Sequence, residues 1–275
     1  MKFVSKELRN NVNVSSRNPL KEFFLLLGSL LGIVLVIYIG LGFAVDLIVP
    51  RLPVSIEKRL GKMFSSAYMA KKDQKYRTQE EELQRILNGL AQSIEIKHNY
   101  KVYIIPDKQA NAFALPGANI IVTSALIEQI EMENELAFVL AHELGHFANR
   151  DHLRGLGRGL VLLAISTATF GADSSLSQVL QKSLKNTEMR FSQEQEKAAD
   201  LFALKLLNAT YGHVGGATGF FKTMAEKEKR KYLLYFFASH PYSQDRIDIL
   251  EGEIDKNGYL IKQGVELNRV FKQGF

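Results

Sequence analysis

The stretch Glu135–Asn149, ELAFVLAHELGHFAN, decides how the rest of this sequence is interpreted. His142 and His146 are four residues apart, so on a helix they lie on one face, one turn from each other. Two imidazole nitrogens placed in this way can bind one zinc ion. The apolar residues of the stretch recur at helical spacing and predict a central, well-packed helix that holds the site rigidly. They are Leu136, Val139, Leu140 and Phe147.

Glu143 lies beside the two histidines without being placed to bind the same ion. A carboxylate there can take a proton from an attacking water and pass it to a leaving amine, which is the acid–base chemistry of metallopeptidases. The alternative is an ordinary amphipathic helix with two surface histidines and an exposed glutamate. The complete match to the HExxH pattern in a helical context favours the metal site.

A catalytic zinc ion takes three protein ligands and keeps one position for water, so a third ligand must lie elsewhere. The chain has no cysteine, which leaves His, Asp and Glu. His152 is one candidate, because it follows His146 at the spacing of the metzincin motif. That motif has a glycine where this chain has Asn149, which weakens the assignment.

Glu196 is the other candidate for the third ligand. Ser192 and Gln195 form a capping-box pattern, which places Glu196 in the first turns of a new helix. Asp200 follows one turn later on the same face and can orient a zinc-bound histidine. The small residues Ala198 and Ala199 indicate a close helix contact. We therefore favour Glu196 over His152.

A long apolar run near the N-terminus predicts a membrane anchor. The 23 residues from Phe23 to Val45 carry no charge. As a helix they are about 35 Å long, enough to cross a hydrocarbon core of about 30 Å. A signal peptide would have a shorter apolar region nearer the start, followed by a cleavage site. We expect one transmembrane helix that places residues 23–45 in the lipid bilayer.

The distribution of charge decides against nucleic acid and gives the orientation. Of the net charge of +6, residues 1–22 carry half, and no Lys/Arg block resembles a phosphate-binding face. This arm has five Lys/Arg residues, against four in the twenty residues that follow the span. The positive-inside rule therefore favours a cytoplasmic N-terminus and an extracytoplasmic body.

Beyond the span the chain divides into a connector and a body. Residues 1–22 form a polar basic arm, 23–45 the span, 46–98 amphipathic connector helices and 99–275 the main domain. Strands are predicted at Tyr100–Ile105 and Asn119–Thr123, from β-branched and aromatic residues bounded by turn signals. A second uncharged run, 159–172, is short for a span and favours a buried or interfacial helix, with a tilted or re-entrant insertion left open.

Four landmarks in their order resemble the HtpX-like gluzincin metallopeptidases, a group that includes Ste-type CAAX prenyl proteases and BepA-type periplasmic proteases. They are Asn111–Gly117, Glu135–His146, Glu196–Asp200, and Ser239–Pro241 with Arg246. The resemblance implies an α+β, mainly helical peptidase domain with a small β-sheet beside the active-site helix. It also implies one Zn²⁺ per chain.

The resemblance implies a role for each matching residue. Glu143 is the general base, Asp200 orients a ligand, and His240 lies near the zinc, where it binds the oxyanion or fills the open coordination position. The implied metal ligands are His142, His146 and Glu196. From the sequence, Tyr211 is a second candidate for steadying the oxyanion.

The resemblance also assigns a role to the strand after Pro116. In gluzincins the strand beside the zinc helix is an edge, and an extended substrate can pair with its backbone. On this interpretation the substrate-binding residues are Asn119, Ile120, Ile121 and Val122. A core strand without this role is the alternative.

Taken together, the sequence predicts a membrane-anchored zinc endopeptidase that cleaves misfolded or membrane-associated polypeptides. We expect a single-pass protein of the bacterial inner membrane, with its catalytic domain on the periplasmic side. One alternative is a non-catalytic scaffold or assembly factor with a structural zinc site, for which Glu143 would serve no purpose. Another is a CAAX-type prenyl-peptide protease, which would need several spans.

Overall fold

A computed structural model describes residues 18–93, 99–185, 191–219, 221, 240 and 244–272. Most of residues 1–22, the end of the expected connector at 94–98, and the landmark residues Ser239 and Pro241 lie outside this part. The described helices are α1 (Pro19–Ile48), α2 (Val54–Met69), α3 (Arg77–Ala91), α4 (Ser124–Ile127), α5 (Glu133–Ala148), α6 (Asp151–Phe170), α7 (Ser175–Lys185), α8 (Gln193–Tyr211) and α9 (Gln244–Asn257). The strands are β1 (Lys101–Ile105), β2 (Ala112–Leu115) and β3 (Asn119–Thr123). The expected mainly helical α+β class is confirmed.

The sheet has the order β1-β3-β2, with β1 parallel and β2 antiparallel to β3. Ile120 of β3 lies between Val102 of β1 and Ala114 of β2. The expectation that β3 is an edge strand is therefore wrong. Its backbone groups from Asn119 to Val122 face a neighbouring strand on each side, so a substrate cannot pair with them.

Strand β2 was not predicted from the sequence; it is only four residues long and returns to β3 through a tight turn. Three residues, 116–118, connect the two strands, and two of them, Gly117 and Ala118, have positive φ angles of 83° and 63°. Of the strands in the described sheet, β2 rather than β3 is an edge, and it packs against α5. The hairpin thus places a strand edge beside the histidine helix.

Helix α5 is the centre of the domain and is buried on all sides from Glu133 to Phe147. It lies between β2 and α8. At the crossing with α8, a Cβ added to Gly145 would lie 2.9 Å from Ala199 Cα. Glycine and alanine at this contact therefore let the two helix backbones approach very closely. Helix α3, expected in the connector, buries its apolar side in the same core as α5.

Two described helices are long and apolar enough to cross a membrane: α1 with the turn that follows it, and α6. No residue of α1 is buried. Residues 159–170 of the uncharged run form the C-terminal part of α6. Only 17% of the most apolar segment of that helix is buried. A buried helix, one of the two arrangements expected for this run, is therefore excluded.

Candidate metal centre

His142 and His146 point their Nε2 atoms toward one centre, where these atoms are 3.1 Å apart. Both side chains come from the same face of α5, as their four-residue spacing requires. Glu196 approaches from the first turns of α8. Its carboxylate oxygens lie 3.4 Å from His142 Nε2 and 3.5 Å from His146 Nε2.

His240 closes the cluster from the other side. Its Nδ1 lies 3.0 Å from Glu196 Oε1 and 3.2 Å from His142 Nε2. The four ligand atoms are all within 4.8 Å of one another, and all four side chains are buried. Ligands bound about 2.0–2.1 Å from a tetrahedral zinc ion are about 3.4 Å apart, so the spacing of these atoms fits zinc.

Each α5 histidine is oriented by a carboxylate on its outer nitrogen. His142 Nδ1 donates to Asp200 Oδ1 at 2.9 Å, and Asp200 is held by Arg246, whose Nε and Nη2 each lie 2.7 Å from it. His146 Nδ1 lies 3.0 Å from Asp151 Oδ2. Such contacts fix the ring so that Nε2 faces the metal, and they raise the basicity of the ligand.

Asp151, the first residue of α6, was not predicted to belong to the site. Arg150 adopts a left-handed conformation with φ 56°, and this turn brings α6 back toward the end of α5. Gln195 donates to the other carboxylate oxygen of Asp151 at 2.8 Å. The available signal was an acidic residue at the start of the helix that follows HExxH. Phe191, also unpredicted, stacks on the His146 ring at 3.9 Å.

Two residues considered for the site lie away from it. His152 Nε2 is 3.3 Å from Glu57 Oε1, and the ring packs against Phe147, so His152 is not part of the metal cluster. The metzincin arrangement is therefore wrong for this chain. Tyr211 donates to Glu133 Oε1 at 3.0 Å, at the end of α5 remote from the HExxH residues. It cannot steady an oxyanion at the centre.

Glu143 is fully buried beside the cluster, 3.5 Å from His240 Nε2. Neither of its oxygens has a partner at normal hydrogen-bond geometry among the described residues, although the Ala114 backbone is near enough to favour its charged form. Burial raises the pKa of Glu143, although the nearby His240 and His142 act in the opposite direction. An unsatisfied buried carboxylate is costly, and a purely structural metal site has no use for one.

Charge in the cluster favours metal binding. Burial alone would raise the pKa of Glu196, but His240, His142 and His146 hold it well below its usual range. Arg246 Nη1 adds an ion pair to the same carboxylate at 2.8 Å. Burial alone would lower the pKa of His142, but hydrogen bonds to Asp200 and Glu196 raise it to about 10. A metal ion must therefore displace a proton from His142.

Comparison with known proteins agrees with this geometry. Residues 77–254 match the model of peptidase family M48. Over 183 residues the chain is 31% identical to metalloprotease LoiP of Escherichia coli, covering 64% of this chain and 71% of LoiP. It is 29% identical to metalloprotease YcaL of the same organism, covering 70% of this chain and 75% of YcaL.

A relative that matches over a shorter stretch is the mitochondrial metalloendopeptidase OMA1 of Schizosaccharomyces pombe. It is 31% identical over 158 residues, which cover 55% of this chain and 46% of OMA1. The family match spans most of the chain and contains all the residues of the metal cluster. The chain therefore belongs to peptidase family M48 and is a zinc metalloendopeptidase.

Proposed function

We propose that the chain is a membrane-anchored endopeptidase of protein quality control, with zinc held by His142, His146 and Glu196. The observation that carries the proposal is the convergence of these three side chains on one buried point beside the unsatisfied Glu143. Zinc bound there supplies Lewis acidity, which polarises a scissile carbonyl and lowers the pKa of a water. The protein's own groups perform the proton transfers.

Glu143 is the general base in this proposal. Its raised pKa brings the carboxyl group closer to neutrality, where it can both accept and return a proton. It takes a proton from the attacking water and delivers it to the nitrogen of the leaving amine. Asp200 and Asp151 hold the two α5 imidazoles in place while this occurs.

His240 has two roles in the proposal. In the arrangement described here, its Nδ1 occupies the fourth corner of the cluster, where water would bind in an active site. Substrate entry therefore requires this ring to turn away. Its Nε2 already faces Glu143, so a displaced His240 remains near the reacting carbonyl and can donate to the developing oxyanion.

Polypeptide substrates follow from the family, and β2 supports a way to bind them. Because β2 has one strand neighbour in the described sheet and packs against α5, its free edge can pair with an extended chain. Pairing through backbone hydrogen bonds depends little on the side chains of the substrate, so it suits misfolded or loosened polypeptides. The substrate-binding role expected for residues 119–122 thus passes to Ala112–Leu115.

The proposal places residues 23–45 across the bacterial inner membrane, with a cytoplasmic N-terminus and the catalytic domain in the periplasm. The unburied α1 and the excess of basic residues before the span support it. A reporter fused to the C-terminus tests the orientation. Activity of a periplasm-dependent reporter such as alkaline phosphatase is expected, and activity of only a cytoplasm-dependent reporter would reverse the orientation.

The Glu143→Gln variant tests the mechanism. Purified in detergent with zinc, it is expected to lose at least about 100-fold in casein cleavage, which is the lower end of the range for removal of a general base. Its zinc content should stay at that of the wild type, because Glu143 is not a ligand. Unchanged cleavage by this variant would contradict the mechanism, and an inactive wild type with tightly bound zinc would favour a scaffold.

A further inference from the structure

Helix α6 runs antiparallel to α1 and alongside it. Gly157 lies against Val45, where an added Cβ would be 2.8 Å from Val45 Cγ1. Arg158, the residue after Gly157, forms an ion pair through Nη2 with Asp46 at 2.7 Å. Arg150, just before the first residue of α6, donates to the carbonyl oxygens of Val49 and Leu52, which follow the last residue of α1. As α1 approaches the domain, α6 therefore leaves it.

Helices α1 and α6 pack along each other. Partly buried positions on the apolar part of α1 are four residues apart at Val34, Tyr38 and Gly42, and then follow one another from Ala44 to Asp46. The positions between Val34, Tyr38 and Gly42 are exposed, so the partly buried ones mark one stripe on the helix. From Val45 back to Val34 the stripe is about 16 Å long. Helix α6 therefore accompanies α1 into the layer that α1 crosses.

Helices α6 and α7 expose several large apolar side chains. No charge occurs between Arg158 and Asp173. Large apolar side chains on the two helices have exposed fractions between 38% and 64%. They are Leu160, Leu162, Phe170, Leu176 and Val179. Water is an unfavourable environment for so many exposed apolar side chains. Because α6 packs against the unburied apolar helix α1, lipid is the cover that suits both helices.

Several backbone groups at the turn between α6 and α7 have hydrogen-bond partners within the turn or the first turns of α7. The Gly171 carbonyl accepts hydrogen bonds from the Ser174 amide and the Ser177 hydroxyl. The Asp173 carbonyl accepts one from the Gln178 side chain at 3.0 Å. The Ser174 hydroxyl in turn accepts one from the Ser177 amide at 3.2 Å. These bonds leave the turn exposed, and it carries the charged Asp173. Because lipid-exposed irregular backbone does not occur in the hydrocarbon core, the turn must stay within reach of water or polar headgroups.

Small residues hold α6 and α7 together. Ser166 and Ser177 share a buried hydroxyl–hydroxyl contact of 2.8 Å. Gly159 lies so close to Leu184 that an added Cβ would be 2.5 Å from its Cδ2. Close contacts through glycine and hydrogen bonds through serine are the means by which helices associate in lipid.

We propose that α6 and α7 form a re-entrant hairpin, inserted into the bilayer beside α1 and covered by lipid acyl chains. Helix α6 is long enough to cross a membrane only when its first eight residues are counted, and these include Asp151, Arg154 and Arg158. Its uncharged run, 159–172, is about 21 Å long as a helix, which is too short to cross a core of about 30 Å. The hairpin therefore enters and returns on one side. The polar groups at its turn limit the depth that it reaches. This inference rests on the proposed crossing of α1.

Spin labels on the full-length protein test the hairpin. Because the chain has no cysteine, single substitutions introduce one label site each. The variants are Leu160→Cys and Phe170→Cys on α6, Val36→Cys on α1, and Ile261→Cys on the catalytic domain. Val36 and Ile261 are both 70% exposed and serve as matched lipid and water references. Each variant is reconstituted into vesicles of phosphatidylethanolamine and phosphatidylglycerol, and its zinc content verifies the fold.

The measurement compares label collisions with oxygen, which concentrates in lipid, and with a polar nickel chelate, which stays in water. We expect the oxygen-to-nickel ratio at Leu160→Cys and Phe170→Cys to match Val36→Cys. All three should exceed Ile261→Cys about tenfold, because hydrocarbon excludes the polar reagent. Nickel access at both α6 sites with a lipid-like Val36→Cys would overturn the hairpin and leave the span intact.

Two other outcomes also overturn the hairpin. Low access to both reagents on α6 would show that protein, such as a second copy of the chain, covers this surface. Nickel access at Val36→Cys would show that α1 does not cross the membrane, and the proposed anchorage would fail with the hairpin.

Discussion

Removal of the Asp151 carboxylate should weaken the metal site without touching a ligand. The Asp151 Oδ2–His146 Nδ1 contact is 3.0 Å long, and Asp151 is only 1% exposed. Without this contact the His146 ring can rotate, and its Nε2 becomes less basic. Loss of such a partner typically costs 10–100-fold in metal affinity, or about 1.4–2.7 kcal/mol. We expect this range for Asp151→Ala and a smaller loss for Asp151→Asn, which retains an acceptor.

Zinc affinity is measured by competition with a chromogenic chelator, and thermal unfolding of the metal-free proteins verifies their folds. Asp46→Asn is the matched control. Arg154 contacts both carboxylates, with Nη1 3.4 Å from Asp151 and Nε 3.8 Å from Asp46, but Asp46 does not contact the centre. The control should bind zinc like the wild type. Wild-type affinity in a folded Asp151→Ala variant would refute the reasoning.

Three further predictions concern the same centre. Glu196→Gln should lose bound zinc on dialysis while His152→Ala retains it, as measured by atomic absorption, and the reverse result would restore the metzincin assignment. Gly145→Ala should destabilise the protein by about 1–3 kcal/mol in urea unfolding, because its methyl group overlaps the Ala199 backbone. A stability equal to that of wild type would show that the two helices can separate freely. Zinc binding should release a proton from His142, whose pKa is about 10 in the metal-free protein. Apparent zinc affinity should therefore fall about tenfold from this group for each pH unit below that value, and a chelator competition between pH 6 and 8 that shows no such trend would contradict it.

Local spacing made much of the metal centre predictable. The four-residue intervals from His142 to His146 and from Glu196 to Asp200 place side chains on one helix face, whatever the rest of the fold does. The structure brings all four residues to the expected cluster. The family was predicted correctly from the four landmarks in their order, and the zinc peptidase activity from the HExxH pattern among them.

The missed features depend on contacts that are distant in sequence. Strand order cannot be read from the apolar pattern of β3, because a central strand and a buried edge strand have similar residues. Asp151 reaches His146 only because Arg150 adopts a left-handed conformation, which sequence seldom reveals. Tyr211 was considered as a catalytic group by residue type alone, and its position at the far end of α8 excludes it.

In the proposed arrangement, the first part of helix α6 sets the distance between the metal centre and the bilayer. Its first residue, Asp151, contacts the metal centre, and Arg158 marks the level at which the uncharged part begins. Seven residues of helix separate these two levels by about 10 Å, equal to about three residues of extended polypeptide. With the hairpin inserted, a bond in a membrane protein can be cut only when at least that length of chain has left the lipid. Cleavage sites should then be selected by their height above the bilayer more than by their sequence.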